Sequence, residues 1–545
     1  MRVLGIWYGL PALYNSDEPF NVVNALSYGA KKSLEPTYYV YPAFYSYILL
    51  AGYGVYYVLG KFFGAFQTAL DFGAAYFLNP TGLFLIGRFL SVLMAVMTIY
   101  LVFKIGQRFF SGRTGLLAAI ILTLSFTHSD LSHWILVEPA VSLFTAWALF
   151  LLLQYIQAPD LKRNLLTSVV AGLAVSTKYN AGFIFLPFTV AIFWIYKKQP
   201  VKAFLHFALG VSALLFGFLL ASPYWLLSFS KYWQAFSYTL SHVSTGMVGH
   251  ISSLPVIWPL WELIYQDWTI GVLMVAGFIY TLFQRDKIKI LLLLFVLPTL
   301  LLIGTWQRTG VHYLLPVFPA LALLAAIFLK DILHHISKRS VRYALFGLLF
   351  LPPMIKIAYQ DLRLTQKDTR TFAKEWIETH IQEGSVIGYE NYVYGPNLFD
   401  PGRFVKNSAE SAMLPLALKE RLLKEKHLRI SYNLINLRKD FKLKNAPKNS
   451  SAKNAYFRQL VEMRLPKLGT IKRAGITYLI ASSDNYRRYF EGQPPEKGTL
   501  LWASYQNGRR FYQSMFESDE AHMLQAFRPS LWNLGPTIRI YQFKP

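Results

Sequence analysis

Apolar residues run in long blocks through the first two-thirds of the chain and then break into short groups interrupted by polar residues. Stretches of spanning or near-spanning length fall at about 86–103, 114–128, 139–157, 165–177, 180–196, 203–222, 269–284, 288–304, 311–329 and 343–359, where a bilayer crossing needs about 20 residues. Several are short. The two flanking Lys178 (LLTSVVAGLAVST and NAGFIFLPFTVAIFWIY) predict a pair of half-helices, since non-helical backbone at membrane depth is tolerated where protein or a water-filled cavity covers it. The Tyr- and Gly-rich stretch 41–60 predicts an interfacial helix within the first external loop. The opening MRVLGIWYGLPALY is too short to carry that loop across, so either a first span is missing upstream or 41–60 crosses. After residue 359 the pattern predicts a helix (TRTFAKEWIETHI) and strands (GSVIGYEN, ITYLIASS, TIRIYQF) around a Lys/Asn-rich loop, with a Leu/Lys-rich helix from Met413 to Lys426. The expected architecture is a polytopic α-helical membrane domain over 1–359 and a soluble α/β domain over 360–545.

Composition agrees. The chain is 54% hydrophobic and 15% charged, where soluble domains carry about 25% charge. Residues 1–359 hold 24 Lys+Arg and 11 Asp+Glu; residues 360–545 hold 30 and 18. The net charge of +25 is therefore spread over both parts, which argues against a nucleic-acid partner. With no cysteine, disulfides, thiolate zinc sites and Cys nucleophiles are excluded.

Charge also predicts sidedness. One set of loops (104–113, 162–163, 197–202, 285–289, 330–342) carries 15 basic residues and the other set 5. The positive-inside rule makes the first set cytoplasmic. The first loop (about 15–85), 129–138, the loop 224–268, 305–310 and the domain after 359 are then extracytoplasmic. Asp17, Glu18, Glu35, Asp71, Asp130, Glu138, Glu262 and Asp267 gather on that face.

The order of parts is distinctive. YNSDEPF, with Asp17 and Glu18, precedes Arg88 at the opening of GRFLSVLMAVMTIYLVFKIGQRFF; HSDLSHWILVEPAVSLF with Glu138 follows, then AGLAVSTKYNAGFIFLP, SPYWLL and RTGVHYLLPVFPALALLAA. This resembles the membrane core of GT-C glycosyltransferases, and within them the protein O-mannosyltransferases and lipid A aminoarabinose transferases. DTRTFAKEWIETHIQEGSVIGYENY is similar to the opening of their extracytoplasmic domain. The resemblance implies an inverting enzyme that passes a sugar from a polyprenyl- or dolichyl-phosphate to an acceptor hydroxyl on a protein, lipid or glycan, with no cofactor required. That chemistry needs a carboxylate base for the acceptor and cations for the charge developing on the leaving phosphate.

By resemblance Asp17 is the base, with Glu18 shaping the site; the alternative is a helix cap at Ser16 or Asp17. Glu138 is a catalytic candidate where relatives carry Asp, or else a first-turn acid favoured by the helix dipole. Lys178, Arg88 and Arg308 are candidates for the donor phosphate, against simple snorkelling to the interface. His312 and Tyr313 are candidates for donor phosphate or sugar, against an aromatic-belt role. His133, His242 and His250 lack metal-ligand spacing, so a divalent metal is a minor expectation and no metal site is assigned. P-loop, HExxH and GxSxG motifs are absent, in keeping with a lipid-linked donor. The competing readings are a transporter or flippase of polyprenyl-linked substrates, which would distribute polar groups about the midplane and show a repeat, and a non-catalytic scaffold.

Overall fold

The computed structural model of the protein describes residues 2–249, 251, 254, 256–390, 392–400, 420, 430–441 and 464–544. The expected helix at Met413–Lys426 and most of the Lys/Asn-rich stretch lie outside the described residues. Among the described residues six helices are long and apolar enough to cross a membrane: Thr81–Phe109, Val137–Gln157, Pro200–Ala221, Lys287–Gly304, Val311–His335 and Arg339–Arg363. Four of the ten predicted stretches form shorter helices. Gly112–Thr123, Leu161–Val175 and Thr269–Leu282 have 12, 15 and 14 residues, and Tyr179–Ile195 begins as a 3-10 turn. At 1.5 Å per residue the first three reach roughly 18–23 Å, short of a 30 Å hydrocarbon layer.

Local chemistry explains the breaks. Ser125 stops the Gly112–Thr123 helix and caps the next, its hydroxyl accepting from the His128 N–H at 3.2 Å. The Leu161–Val175 helix ends where the Ser176 hydroxyl donates to the Phe218 carbonyl at 2.7 Å and Lys178 turns extended (φ −156°, ψ 128°). Gly172 and Gly217 bring that helix and Pro200–Ala221 together backbone to backbone; a Cβ at Gly172 would sit 2.2 Å from the Leu214 carbonyl oxygen. The Phe318–Ala325 stretch is buried throughout and forms the centre of the bundle.

The first loop folds as three helices, Glu18–Lys31, Phe44–Phe62 and Ala69–Leu78. The stretch predicted to be interfacial is the second of these and is not among the six candidate spans. Tyr45, Leu49 and Tyr53, at helical spacing, pack on Leu83 and Phe84, while Val55, Val58 and Phe62 are exposed on the remaining face.

After Arg363 the chain forms a five-stranded sheet of order β2-β1-β3-β5-β4, with β1 Val386–Tyr389, β2 Asn433–Asn436, β3 Tyr478–Ser482, β4 Ala521–Phe527 and β5 Ile538–Phe543. β1 runs parallel to β2 and β3, and β5 antiparallel to β3 and β4. The three predicted strands are β1, β3 and β5. Period-two alternation gives each a second face: Ile387, Ile480, Ile538 and Ile540 meet Ala373 and Ile377 of the Thr369–His380 helix, while Leu479, Tyr541 and Phe543 meet Tyr512 and Met515 of the Leu500–Glu517 helix.

Two buried ion pairs tie these parts together. Arg88 donates from Nε and Nη2 to Glu18 at 2.8 and 2.7 Å and from Nη1 to the carbonyls of Ile6 and Tyr8, both at 2.8 Å. Its guanidinium stacks 4.8 Å from the Trp134 ring, and both charged side chains are fully buried. Glu18 also accepts from the Ile135 N–H at 2.9 Å. Asp368 accepts from Arg370 at 2.7 and 2.8 Å and from the Tyr8 hydroxyl, while Arg370 donates to the Tyr14 carbonyl at 3.2 Å and lies over the Tyr14 ring. Residues 6–14 are thus held between the bundle and the C-terminal domain. Removing one partner of a buried pair strands the other charge, so Glu18→Gln is expected to cost about 3–5 kcal/mol. Glu18→Gln/Arg88→Gln is expected to lose less than the sum of the two singles in thermal unfolding of the detergent-solubilised chain.

Candidate active site

Asp17 stands at the N-cap of the Glu18–Lys31 helix, yet its side chain makes no capping bond. Among the described residues its carboxylate accepts only from the Ser16 hydroxyl, at 3.2 Å, and its N–H donates to Asn15 Oδ1 at 3.0 Å. A capping role accounts for the position of Asp17 and not for the orientation of its carboxylate. Asp17 keeps open surface, but protein surrounds it closely enough that lost hydration pushes its carboxyl above the ordinary range. The nearby Glu138 charge adds to that rise, and Ser16, Arg308 and Lys178 oppose it.

Glu138 opens the Val137–Gln157 helix, positioned by the Glu18–Ile135 hydrogen bond three residues earlier. Its carboxylate accepts from Lys178 Nζ at 2.7 Å, and the two side chains are 5% and 7% exposed. Lys178 reaches it from the extended break after the Leu161–Val175 helix, and its ammonium lies 5.3 Å from the Tyr313 ring and 5.9 Å from the Tyr41 ring. An ammonium has three donors, and among the described residues one is taken. Asn180 fixes the same break by donating to the Tyr313 carbonyl at 2.8 Å.

Arg308 comes from the opposite wall. Its N–H donates to the Val243 carbonyl at 3.1 Å, and Nη1 meets His242 Nε2 and Met247 Sδ. Nε is buried without a partner among the described residues. Arg308 acts electrostatically on Asp17, Tyr41 and Tyr313. Burial, Glu138 and Asp17 together hold the Tyr41 hydroxyl well above its usual range. His312 is half-buried with its ring 4.1 Å from that of Tyr313.

The structure therefore brings Asp17, Glu138, Lys178, Arg308 and Tyr313 together, with His312 at their edge. Arg88 and Glu18 differ from expectation. Their charges neutralise each other inside the bundle with no side-chain surface left over, so Arg88 offers nothing to a phosphate and Glu18 supports the site from beneath. Lys178 differs in degree, because Glu138 shares its charge.

Two residues of the site escaped sequence reasoning. Tyr41 sat in a stretch too rich in tyrosine for one to stand out. His242, read as a metal candidate, instead faces Arg308. His133, the other described metal candidate, lies elsewhere: it contacts the carbonyls of Ser129 and Leu4 at 3.0 and 3.2 Å and Asp361 at 3.6 Å. His250 lies outside the described residues.

Such a site, a carboxylate with a raised proton affinity facing cations beside a helix bundle, suits transfer onto a hydroxyl with an anionic leaving group. Residues 83–244 match the model of the dolichyl-phosphate-mannose-protein mannosyltransferase family, in agreement with the GT-C resemblance carried by the sequence motifs. The matched stretch holds Arg88, Glu138, Lys178 and His242 and leaves out Asp17 and Arg308. No curated protein matches the chain. Among solved structures, ArnT from Cupriavidus metallidurans bound to undecaprenyl phosphate is 16% identical, with 78% of this chain and 70% of that chain covered at a TM-score of 0.47. The oligosaccharyltransferase AglB from Archaeoglobus fulgidus, in complex with an inhibitory peptide and a dolichol-phosphate, is 10% identical, with 95% and 77% covered at the same TM-score.

Burial, with Arg308 second, pushes the His242 imidazole down to about 4, so it is neutral at pH 7. A folded value below the unfolded 6.5 means that the unfolded chain binds the proton first. The stability His242 contributes is then present above about pH 6.5 and lost as pH falls toward 4. The melting temperature should fall less between pH 7.5 and 4.5 in His242→Gln than in the native chain.

Proposed function

We propose that this protein is an integral-membrane, inverting glycosyltransferase that moves a sugar from a polyprenyl- or dolichyl-phosphate to an acceptor hydroxyl on the extracytoplasmic side. The observation that carries the reading is the Asp17 carboxylate, free of its helix and poised beside Arg308 and Lys178. The acceptor oxygen attacks the anomeric carbon while Asp17 takes its proton. The bond from that carbon to the phosphate oxygen breaks, and the lipid phosphate leaves with the electron pair. Arg308, whose Nε has no partner among the described residues, is the principal counter-charge; Lys178, with one of its three donors taken among the described residues, assists. Glu138 orients Lys178 and limits the net positive charge, so that the phosphate is held and then released. The family match over residues 83–244 supports a lipid-phosphate-linked donor.

Mass spectrometry of membranes with and without the protein identifies the molecule that gains or loses a sugar, and transfer to it is the assay. Asp17→Asn should lower transfer by about 10²–10⁴-fold while donor binding persists. Transfer by the native enzyme should rise with pH through the raised Asp17 value, and near-normal transfer by the Asn variant would exclude Asp17 as base. Arg308→Gln should instead weaken donor binding by roughly ten- to a hundredfold, the worth of one charge-assisted hydrogen bond.

Sidedness has its own test, made simple by the absence of native cysteine. Ser230→Cys and Ser337→Cys, both at exposed positions, should react with an impermeant thiol reagent from opposite faces, Ser230→Cys from outside. Labelling of both from one face would contradict the proposed topology.

A further inference from the structure

The opposite end of the bundle carries a second recess, independent of the transfer site. The helix that begins at Val311 beside Arg308 ends at His335, and the 18 residue-to-residue steps from Tyr313 to Asp331 rise roughly 27 Å. There a cavity of about 690 Å³ opens between the start of the Gly112–Thr123 helix, the last turns of Val311–His335 and the first turn of Arg339–Arg363.

Its lining is divided. Arg113, Lys330 and Arg342 supply three cations against one carboxylate, Asp331. That carboxylate is already engaged, accepting from the Tyr280 hydroxyl at 3.0 Å and lying 3.5 Å from Lys330. Arg342 is oriented by donation of its Nε–H to the Ile336 carbonyl at 2.7 Å, and its Nη donors make no hydrogen bond among the described residues. Arg113 is exposed and makes no side-chain hydrogen bond among the described residues. The rest of the wall combines Ser111 and His334 with apolar side chains, among them Leu116, 56% exposed, and Phe346 on the candidate spanning helix Arg339–Arg363.

We infer that this recess binds the headgroup of an anionic phospholipid, its phosphodiester among Arg113, Lys330 and Arg342 and its acyl chains along Leu116 and Phe346. A soluble anion would use the cations and leave the apolar wall in water. A zwitterionic lipid would use the wall and bring its own cation against three others. A diacyl phosphate with net negative charge satisfies both halves, and the position at the charged ends of three helices is where such headgroups lie. By the charge distribution of the loops, this is the cytoplasmic leaflet.

The test is native mass spectrometry of the full chain released from phosphatidylcholine nanodiscs containing phosphatidylglycerol. The native chain should retain phosphatidylglycerol over phosphatidylcholine. R113Q/K330Q should reduce that preference about fivefold for each cation removed, and R113K/K330R should restore it. Sugar transfer is not the readout, so failure here leaves the reading of Asp17 intact. Equal retention of the two lipids, an unchanged preference in R113Q/K330Q, or displacement of phosphatidylglycerol by millimolar inorganic phosphate would each overturn the proposal.

Discussion

The Glu18–Arg88 pair is the constraint on which the site depends. A carboxylate and a guanidinium enclosed together in a helix bundle are costly to bury, and they persist because their hydrogen-bonding capacity is spent on the right neighbours. Arg88 gathers Ile6, Tyr8 and Glu18, and Glu18 passes the connection on to Ile135. Asp17 is the residue before Glu18, and Glu138 lies three residues beyond Ile135. One buried pair therefore sets the separation of the two carboxylates whose charges act on each other. Asp368 and Arg370 repeat the device at Tyr8 and Tyr14, fastening the C-terminal domain to the same segment.

Charges in this half of the molecule differ in how far the described residues neutralise them. Each guanidinium nitrogen of Arg88 has a partner, Lys178 is shared with Glu138, and the buried Nε of Arg308 has no partner among the described residues. That gradient follows depth. A cation deep among helices needs a permanent partner, whereas one nearer the surface can be served by water. Glu35, farther out, shows the same principle reversed. Lys231, Tyr39 and Ser228 converge on it and hold its carboxyl down to about 2, joining the first loop to the Phe229–Thr245 helix.

Much of this was legible in the order of residues because it rests on local pattern. Long apolar blocks make helices wherever they fall, and alternation in VIGY, YLIAS and IRIYQF makes strands with two faces. β2, only four residues with asparagine at both ends, and β4, with a register shift between Met523 and Gln525, lack that alternation and were not foreseen. Glu138 stood out because a carboxylate at the start of a span is costly unless paired, and Asp17 through the resemblance of YNSDEPF and the order of parts that follows it.

Tertiary structure alone decided which cations are available. Arg88, Lys178 and Arg308 look alike in sequence, each a lone charge near the end of an apolar stretch. Their partners lie far along the chain: Glu18 is 70 residues from Arg88, Glu138 is 40 from Lys178 and His242 is 66 from Arg308. Whether a charge is buried and paired depends on distances in space that no local period encodes. The sequence by itself determined that this chain has apolar helices able to span a membrane and carboxylates at their ends. Packing determined that the Asp17 side chain makes no capping bond to its helix and that Arg308, rather than Arg88, carries a donor without a partner among the described residues.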